Sequence, residues 1–328
     1  MSNYHIKNLE EYFAVYRKSI RQPELFWQEV AEEHFVWRKR WSKVLSWDFN
    51  KPEIKWFEGA QLNITENCID RHLNTKADKT AFLFEPNDPK EPAQHITYQQ
   101  LYERVNKMAN VLKSQGIQKG DRVCIYLPMI PELAVAVLAC ARIGAVHSIV
   151  FGGFSPEALG DRILDADCQV VITADEGLRG GKSIPLKANA DKALARCPNV
   201  HTCLVVKRTG GDIQWDQSRD VWYEEAVAAA DKQCVPEAME AEDPLFILYT
   251  SGSTGKPKGV VHSTAGYMDH QPDIAYLTLG LKCVKEFLDI SDDVEPYFDP
   301  EKLEWKFDDL KIKSYGKTNT FLVNYYGP

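Results

Sequence analysis

The residues best suited to chemistry stand together at Tyr249-Thr-Ser-Gly-Ser-Thr-Gly-Lys-Pro-Lys-Gly259. Gly252 and Gly255 carry no Cβ, so backbone N–H groups can turn toward one point at small steric cost. Thr250, Ser251, Ser253 and Thr254 add hydroxyl donors, and Lys256 and Lys258 add positive charge. Donors and cations converging in this way make a cradle for a phosphate chain. The same composition also suits a polar surface loop between core elements, and composition alone leaves both readings open. A Walker A loop is excluded, because Pro257 stands where Gly-x-x-x-x-Gly-Lys-Ser/Thr requires its second glycine.

Another candidate is Asp175-Glu-Gly-Leu-Arg-Gly-Gly-Lys-Ser183, in which Arg179 and Lys182 flank Gly180-Gly181. Two cations there can project toward one anion with backbone close beside it. An exposed loop with incidental basic residues is the competing reading. A further glycine turn, Gly152-Gly153, follows Ile149-Val-Phe151. Arg142 and His147 lie singly in apolar runs, where such residues are usually satisfied structural groups, and neither is assigned to a site.

These stretches need elements to hold them. The spacing predicts a helix over 95–116: Thr97 and Gln100 form a capping box, Leu101, Val105, Met108 and Leu112 recur at helical period, and Gly116 supplies a stop. A strand over 122–127 ends at Pro128, and an apolar helix runs from about Glu132 to Ile143. The next strand covers 145–151, followed by a helix opened by Ser155-Pro156-Glu157, with cap, N1 proline and first-turn acid in order. Further strands are read at 169–173 and at Leu245–Tyr249. Strands alternating with helices predict an α/β fold with a doubly wound, mostly parallel sheet, whose binding crevice lies beyond the C-terminal strand ends. Residues 1–60 are dense in aromatics (Trp27, Trp37, Trp41, Trp47, Trp56), and either pack as a layer on a larger body or fill a small core of their own.

With a chain of 328 residues, two domains and a substantial core are allowed. Net charge is −8, which argues against a nucleic-acid or anionic-membrane surface, since both need a basic footprint. The eight cysteines form no Cys-x-x-Cys pair, and several lie in apolar runs. They read as buried free thiols of a reducing compartment, not as disulfides or metal ligands. The first residues carry no apolar signal core and no stretch reaches membrane-spanning length, so a cytoplasmic protein is expected. No Gly-x-Gly-x-x-Gly follows the strand near Val123, which disfavours a nicotinamide-dependent Rossmann enzyme.

The order of residues in the 249–259 loop adds to this. Thr-Ser-Gly-Ser-Thr-Gly-Lys-Pro-Lys-Gly resembles, position for position, the signature loop of the adenylate-forming superfamily. Leu127-Pro-Met-Ile-Pro-Glu132, Ala139-Cys-Ala-Arg-Ile-Gly-Ala-Val-His-Ser148, Lys207-Arg-Thr-Gly-Gly211 and Ala241-Glu-Asp-Pro-Leu-Phe-Ile-Leu-Tyr249 are similar to acetyl-CoA synthetases in particular, and the likeness covers roughly residues 10–268. The resemblance implies that Thr250, Ser251, Gly252, Ser253, Thr254, Gly255, Lys256 and Lys258 hold the phosphates of ATP, with Mg2+ arriving alongside it. It implies that Arg179, Gly180, Gly181 and Lys182 grip the 3′-phosphate and adenine of CoA, and that Phe151, Gly152 and Gly153 form the neighbouring wall. Where the family commonly has a second arginine this chain has Lys182, which keeps the charge and gives up bidentate geometry.

The implied activity is acetate–CoA ligation: ATP, acetate and CoA give acetyl-CoA, AMP and diphosphate through acetyl-adenylate. Three regions are expected: an N-terminal extension of acetyl-CoA-synthetase type at 1–62, a partial AMP-binding domain at 63–268, and an unassigned acidic tail at 269–328. The tail holds seven lysines and twelve acids, and Leu277, Leu281, Val284 and Leu288 could line one helix face. Its Gly316-Lys317-Thr318 is no P-loop, since Lys311 stands where the first glycine belongs. The family's Trp-Trp-Gln-Thr-Glu and Thr-Gly-Asp segments and its catalytic-lysine lid do not occur in these residues. No catalytic residue is therefore assigned, and the expectation is a truncated or fused ligase, weakly active or inactive alone. A non-catalytic ATP- and CoA-binding module and a propionate–CoA ligase fragment are the alternatives.

Overall fold

A computed structural model describes residues 8–48, 50–51, 53–86, 90–179, 182–250 and 257–268, with two short strands at 298–299 and 304–305. Its centre is a seven-stranded sheet. In chain order the strands are β1 (Arg122–Tyr126), β2 (Val146–Ile149), β3 (Val170–Ala174), β4 (Thr202–Val206), β5 (Asp220–Trp222), β6 (Pro244–Thr250) and β7 (Lys258–Ser263). In space they run β5-β4-β3-β1-β2-β6-β7. Every neighbouring pair is parallel except β6–β7, which closes the edge antiparallel. The mostly parallel, doubly wound sheet expected from the strand–helix alternation is thus present.

The helices flanking the sheet include α1 (Tyr98–Ser114), α2 (Pro131–Ile143), α3 (Pro156–Ala166) and α4 (Leu186–Leu194). Right-handed crossovers require β1–α2–β2 and β2–α3–β3 to step in opposite directions, which puts their helices on opposite faces. Accordingly α1 packs on α2, and α3 packs on α4. The chain dictates the ends of these helices. Thr97 accepts from the Gln100 N–H while Gln100 bonds back to Thr97, completing the capping box. Ser155 caps α3 with Pro156 at its first position. Gly144 ends α2 at φ +72°, and a Cβ there would stand 2.6 Å from Met239 Sδ. Strand β2 stops at Ile149, two residues short of its expected end, because Phe151 turns out to solvent.

The strands β1, β3 and β4 are buried along nearly their whole length, as an interior parallel sheet requires. The N-terminal aromatics form a second cluster, in which Phe57 packs with Trp27, Trp37, Trp41 and Trp56 and with Ala241 and Ala265 of the main body. Trp37 Nε1 donates to the Ala31 carbonyl. They are therefore a layer on the larger unit. Among the described residues seven cysteines are free and all but Cys68 are buried; Cys283 lies outside those residues. No described helix is long and apolar enough to cross a membrane. Of the 269–328 tail only the antiparallel pair Phe298–Asp299 and Glu304–Trp305 is described. The expected Leu277–Leu288 stripe and the 311–318 run fall outside the described residues.

Candidate functional site

The sheet reverses its winding between β1 and β3, whose connections leave in opposite directions. Their C-terminal ends therefore open the crevice where α/β folds bind ligands. Two of the glycine turns meet there. A Cβ on Gly152 would lie 3.3 Å from the Leu127 carbonyl oxygen, just past β1. One on Gly177, just past β3, would lie 3.1 Å from Leu186 and 3.5 Å from Pro128. Glycine lets both backbones sit this close.

Gly177–Arg179 and Lys182–Ile184 pair as a small antiparallel hairpin, with Arg179 opposite Lys182. The intervening Gly180 and Gly181 lie outside the described residues. Both Arg179 and Lys182 are exposed, and among the described residues neither is in a salt bridge. The Arg179 guanidinium stands 5.2 Å from the centroid of the half-exposed Phe151 ring. A Cβ on Gly153 would be 2.6 Å from Phe151 Cε1 and 3.1 Å from Arg179 Nη1, so the ring and cation would have to shift to admit a side chain there. The structure thus brings together Phe151, Gly152, Gly153, Arg179 and Lys182. Two cations without carboxylate partners beside an exposed ring can take an anionic group attached to a planar one.

The hairpin has a buried anchor that sequence reasoning missed. Asp175, 1% exposed, accepts N–H bonds from Glu176 (2.6 Å), Arg208 (2.9 Å) and Gly210 (2.7 Å), with Thr209 at 3.2 Å. This carboxylate ties the 207–211 loop beneath the hairpin. Arg208 in turn forms a two-pronged pair with Glu91 at 2.8 and 2.6 Å. An acid placed one residue past a buried strand was the available signal, but its partners stand over thirty residues away in sequence.

The 249–259 stretch is the turn of the β6–β7 hairpin. Thr250 pairs with Lys258 and Tyr249 with Gly259, and the residues between, Ser251–Lys256, lie outside the described ones. Of the expected phosphate-loop residues, Thr250 and Lys258 are therefore placed, exposed, at the loop's root. The Tyr249 hydroxyl donates to Asp165 Oδ2 at 2.6 Å. Burial pushes the Tyr249 phenol well up, and the Asp165 bond adds to it. Tyr249, Pro257 and the α3 residues Asp161, Arg162, Leu164 and Asp165 line a cleft of about 400 Å³.

Arg142 is a satisfied structural group, as expected, whereas the buried Nδ1 of His147 has no hydrogen-bond partner among the described residues. Arg142 is buried and bonds Asp70 at 2.9 and 3.0 Å, Thr65 Oγ1 and the Cys234 carbonyl, pinning α2 to the segment before it. His147 stacks on Phe246, and burial lowers its pKa to about 4, so it stays neutral.

Comparison with known proteins agrees with this fold. Residues 69–287 match the family model for AMP-binding enzymes, and residues 12–68 match that for the acetyl-coenzyme A synthetase N-terminus. The former match runs past residue 268, where the sequence likeness was read to stop. The chain is 64% identical over 261 residues to an acetyl-coenzyme A synthetase of Halorhodospira halophila, covering 80% of this chain and 40% of that relative. It is 60% identical over 286 residues to one of Saccharophagus degradans, covering 84% and 44%. Acetoacetyl-CoA synthetase from Streptomyces lividans superposes with a TM-score of 0.73 at 30% identity, over 83% of this chain and 40% of that one. The chain thus spans about two-fifths of the length of the curated relatives it matches.

Proposed function

Because this chain belongs to the AMP-binding enzyme family, we propose that it carries the CoA-gripping and triphosphate-gripping parts of an acetate–CoA ligase. In this reading CoA lies across the hairpin, its 3′-phosphate on Arg179 and Lys182 and its adenine against Phe151, with Gly152 and Gly153 allowing close approach. Gly180 and Gly181 complete that grip. ATP enters with Mg2+ as part of the substrate, and its phosphates lie in the loop from Thr250 to Lys258, including Ser251, Gly252, Ser253, Thr254, Gly255 and Lys256. Attack of acetate on the α-phosphate gives acetyl-adenylate and diphosphate, and the CoA thiol then displaces AMP. What these residues contribute is position and charge, the main resources of phosphoryl and adenylyl transfer. The division into 1–62, 63–268 and 269–328 and a cytoplasmic location belong to the same proposal.

The observation that carries it is the pair of exposed cations Arg179 and Lys182, in no salt bridge among the described residues, beside Phe151 and Gly153. Calorimetric titration with CoA and with 3′-dephospho-CoA tests it. CoA is expected to bind at least about tenfold tighter, a difference that Arg179→Gln abolishes. Equal affinities for the two, in wild type and variant alike, would overturn the assignment.

The alternative is a module that binds ATP and CoA with little turnover. Acetate-dependent diphosphate release by the 328-residue chain separates the two. The same assay run with propionate addresses the choice of acid.

A further inference from the structure

The Phe151 ring is held from behind, and the cation lying over it is not. The ring meets Phe154 edge-on at 5.9 Å, and the Arg162 guanidinium sits 4.6 Å over Phe154 in turn. Arg162 is 8% exposed and donates through Nη1 to the Ala158 carbonyl at 2.7 Å, so this support is anchored in α3. Arg179 by contrast is exposed, ends a strand of three residues, and is in no salt bridge among the described residues. Its guanidinium carbon stands 5.2 Å from the Phe151 centroid. A planar base between the two would need about 7 Å, twice the ordinary van der Waals spacing. A base laid on this face of the ring must therefore push the guanidinium off it.

We propose that Arg179 is a specificity gate: it covers the Phe151 ring in the free protein, and yields it at little cost only to a nucleotide bearing a phosphate to which the guanidinium can move. The inference rests on the reading of this place as the CoA site. A 3′-phosphate lies one sugar away from its base, within reach of a displaced arginine side chain, and accepts two parallel N–H bonds from it. A nucleotide without that phosphate leaves the guanidinium in water and forfeits the cation–ring contact. At an exposed site such a contact is worth a factor of about two to five in affinity. Arg179 therefore selects twice, by attracting the phosphorylated ligand and by penalising the unphosphorylated one. Lys182, its register partner in the hairpin, lies over no ring among the described residues and acts by charge alone.

The test is calorimetric titration of the 328-residue chain with CoA and with 3′-dephospho-CoA, in wild type, Arg179→Gln and Lys182→Gln. Both substituted side chains are exposed, so the variants are expected to keep the wild-type unfolding midpoint. Arg179→Gln is expected to weaken CoA and to tighten 3′-dephospho-CoA by about two- to fivefold. The sign decides, because 3′-dephospho-CoA keeps its 5′-diphosphate, and loss of a cation acting by charge alone weakens any anionic ligand. Lys182→Gln is accordingly expected to tighten neither. CoA weakened by Arg179→Gln, with 3′-dephospho-CoA unchanged or weakened as well, overturns the gate and leaves the reading of the site standing. Tightening of both ligands by Arg179→Gln means a cover that does not discriminate, and overturns the gate too. Equal affinities for the two ligands in wild type and variant alike, or binding of neither by wild type, overturns the reading of the site and the gate with it.

Discussion

Asp175 presents both carboxylate oxygens to backbone N–H groups of two segments. Asp175→Asn turns one acceptor into a donor facing Glu176 and Arg208 or facing Gly210. Hydrogen bonds to a charged group contribute about 1.5–3 kcal/mol, and a frustrated buried one costs a similar amount. The variant is therefore expected to lose about 2–4 kcal/mol of stability in urea unfolding, with a larger loss of CoA affinity than of ATP affinity. An unchanged midpoint would refute the anchoring role. At this scale the sequence was informative about residues that act together within one segment, such as Arg179 and Lys182. It was silent on the roles of Asp175 and Glu91, whose partners at 208–210 come from a distant segment and are set by packing.

Among the elements, α1 was legible because its capping box, helical period and terminating glycine all agree, although residues 95–97, read into it, belong to the strand Gln94–Thr97. Thr97→Ala removes the acceptor for the Gln100 N–H and is expected to cost about 1 kcal/mol, read as a shift in urea midpoint. Gly144→Ala is expected to cost more, about 1–3 kcal/mol, since it adds a Cβ at φ +72° against Met239. A cost for Gly144→Ala below that of Thr97→Ala would contradict the packing described. Strand β4, Thr202–Val206, was not read from sequence, because a strand buried on both faces shows no alternation and resembles a short buried helix. The 177–184 hairpin escaped for a different reason. Its strands are three residues each, too short for any period, and its glycines read as loop.

For the whole molecule, burial gives stability a dependence on pH. The fold keeps His147 neutral, with a pKa of about 4 against an ordinary 6.5. His72 is lowered to about 4 as well, by burial first and then by Arg71 and Lys76. A histidine with a depressed folded pKa binds its proton more readily when the chain is unfolded. Its contribution is present above pH 6.5 and is lost as pH falls toward 4. For His147 the full loss is about 3 kcal/mol. His147→Leu should flatten the fall in urea midpoint between pH 6.5 and 4.5, and an equal slope in wild type and variant would argue against a neutral buried ring.

The two proposed ligand sites lie at neighbouring strand ends, and the proposed function requires both to be real. Hydrogen exchange of the 328-residue chain, alone, with MgATP and with CoA, addresses it most directly. The account predicts that MgATP slows exchange in residues 249–259 and CoA slows it in 151–154 and 177–184. Exchange in those segments that neither ligand changes, under saturating concentrations, would contradict it.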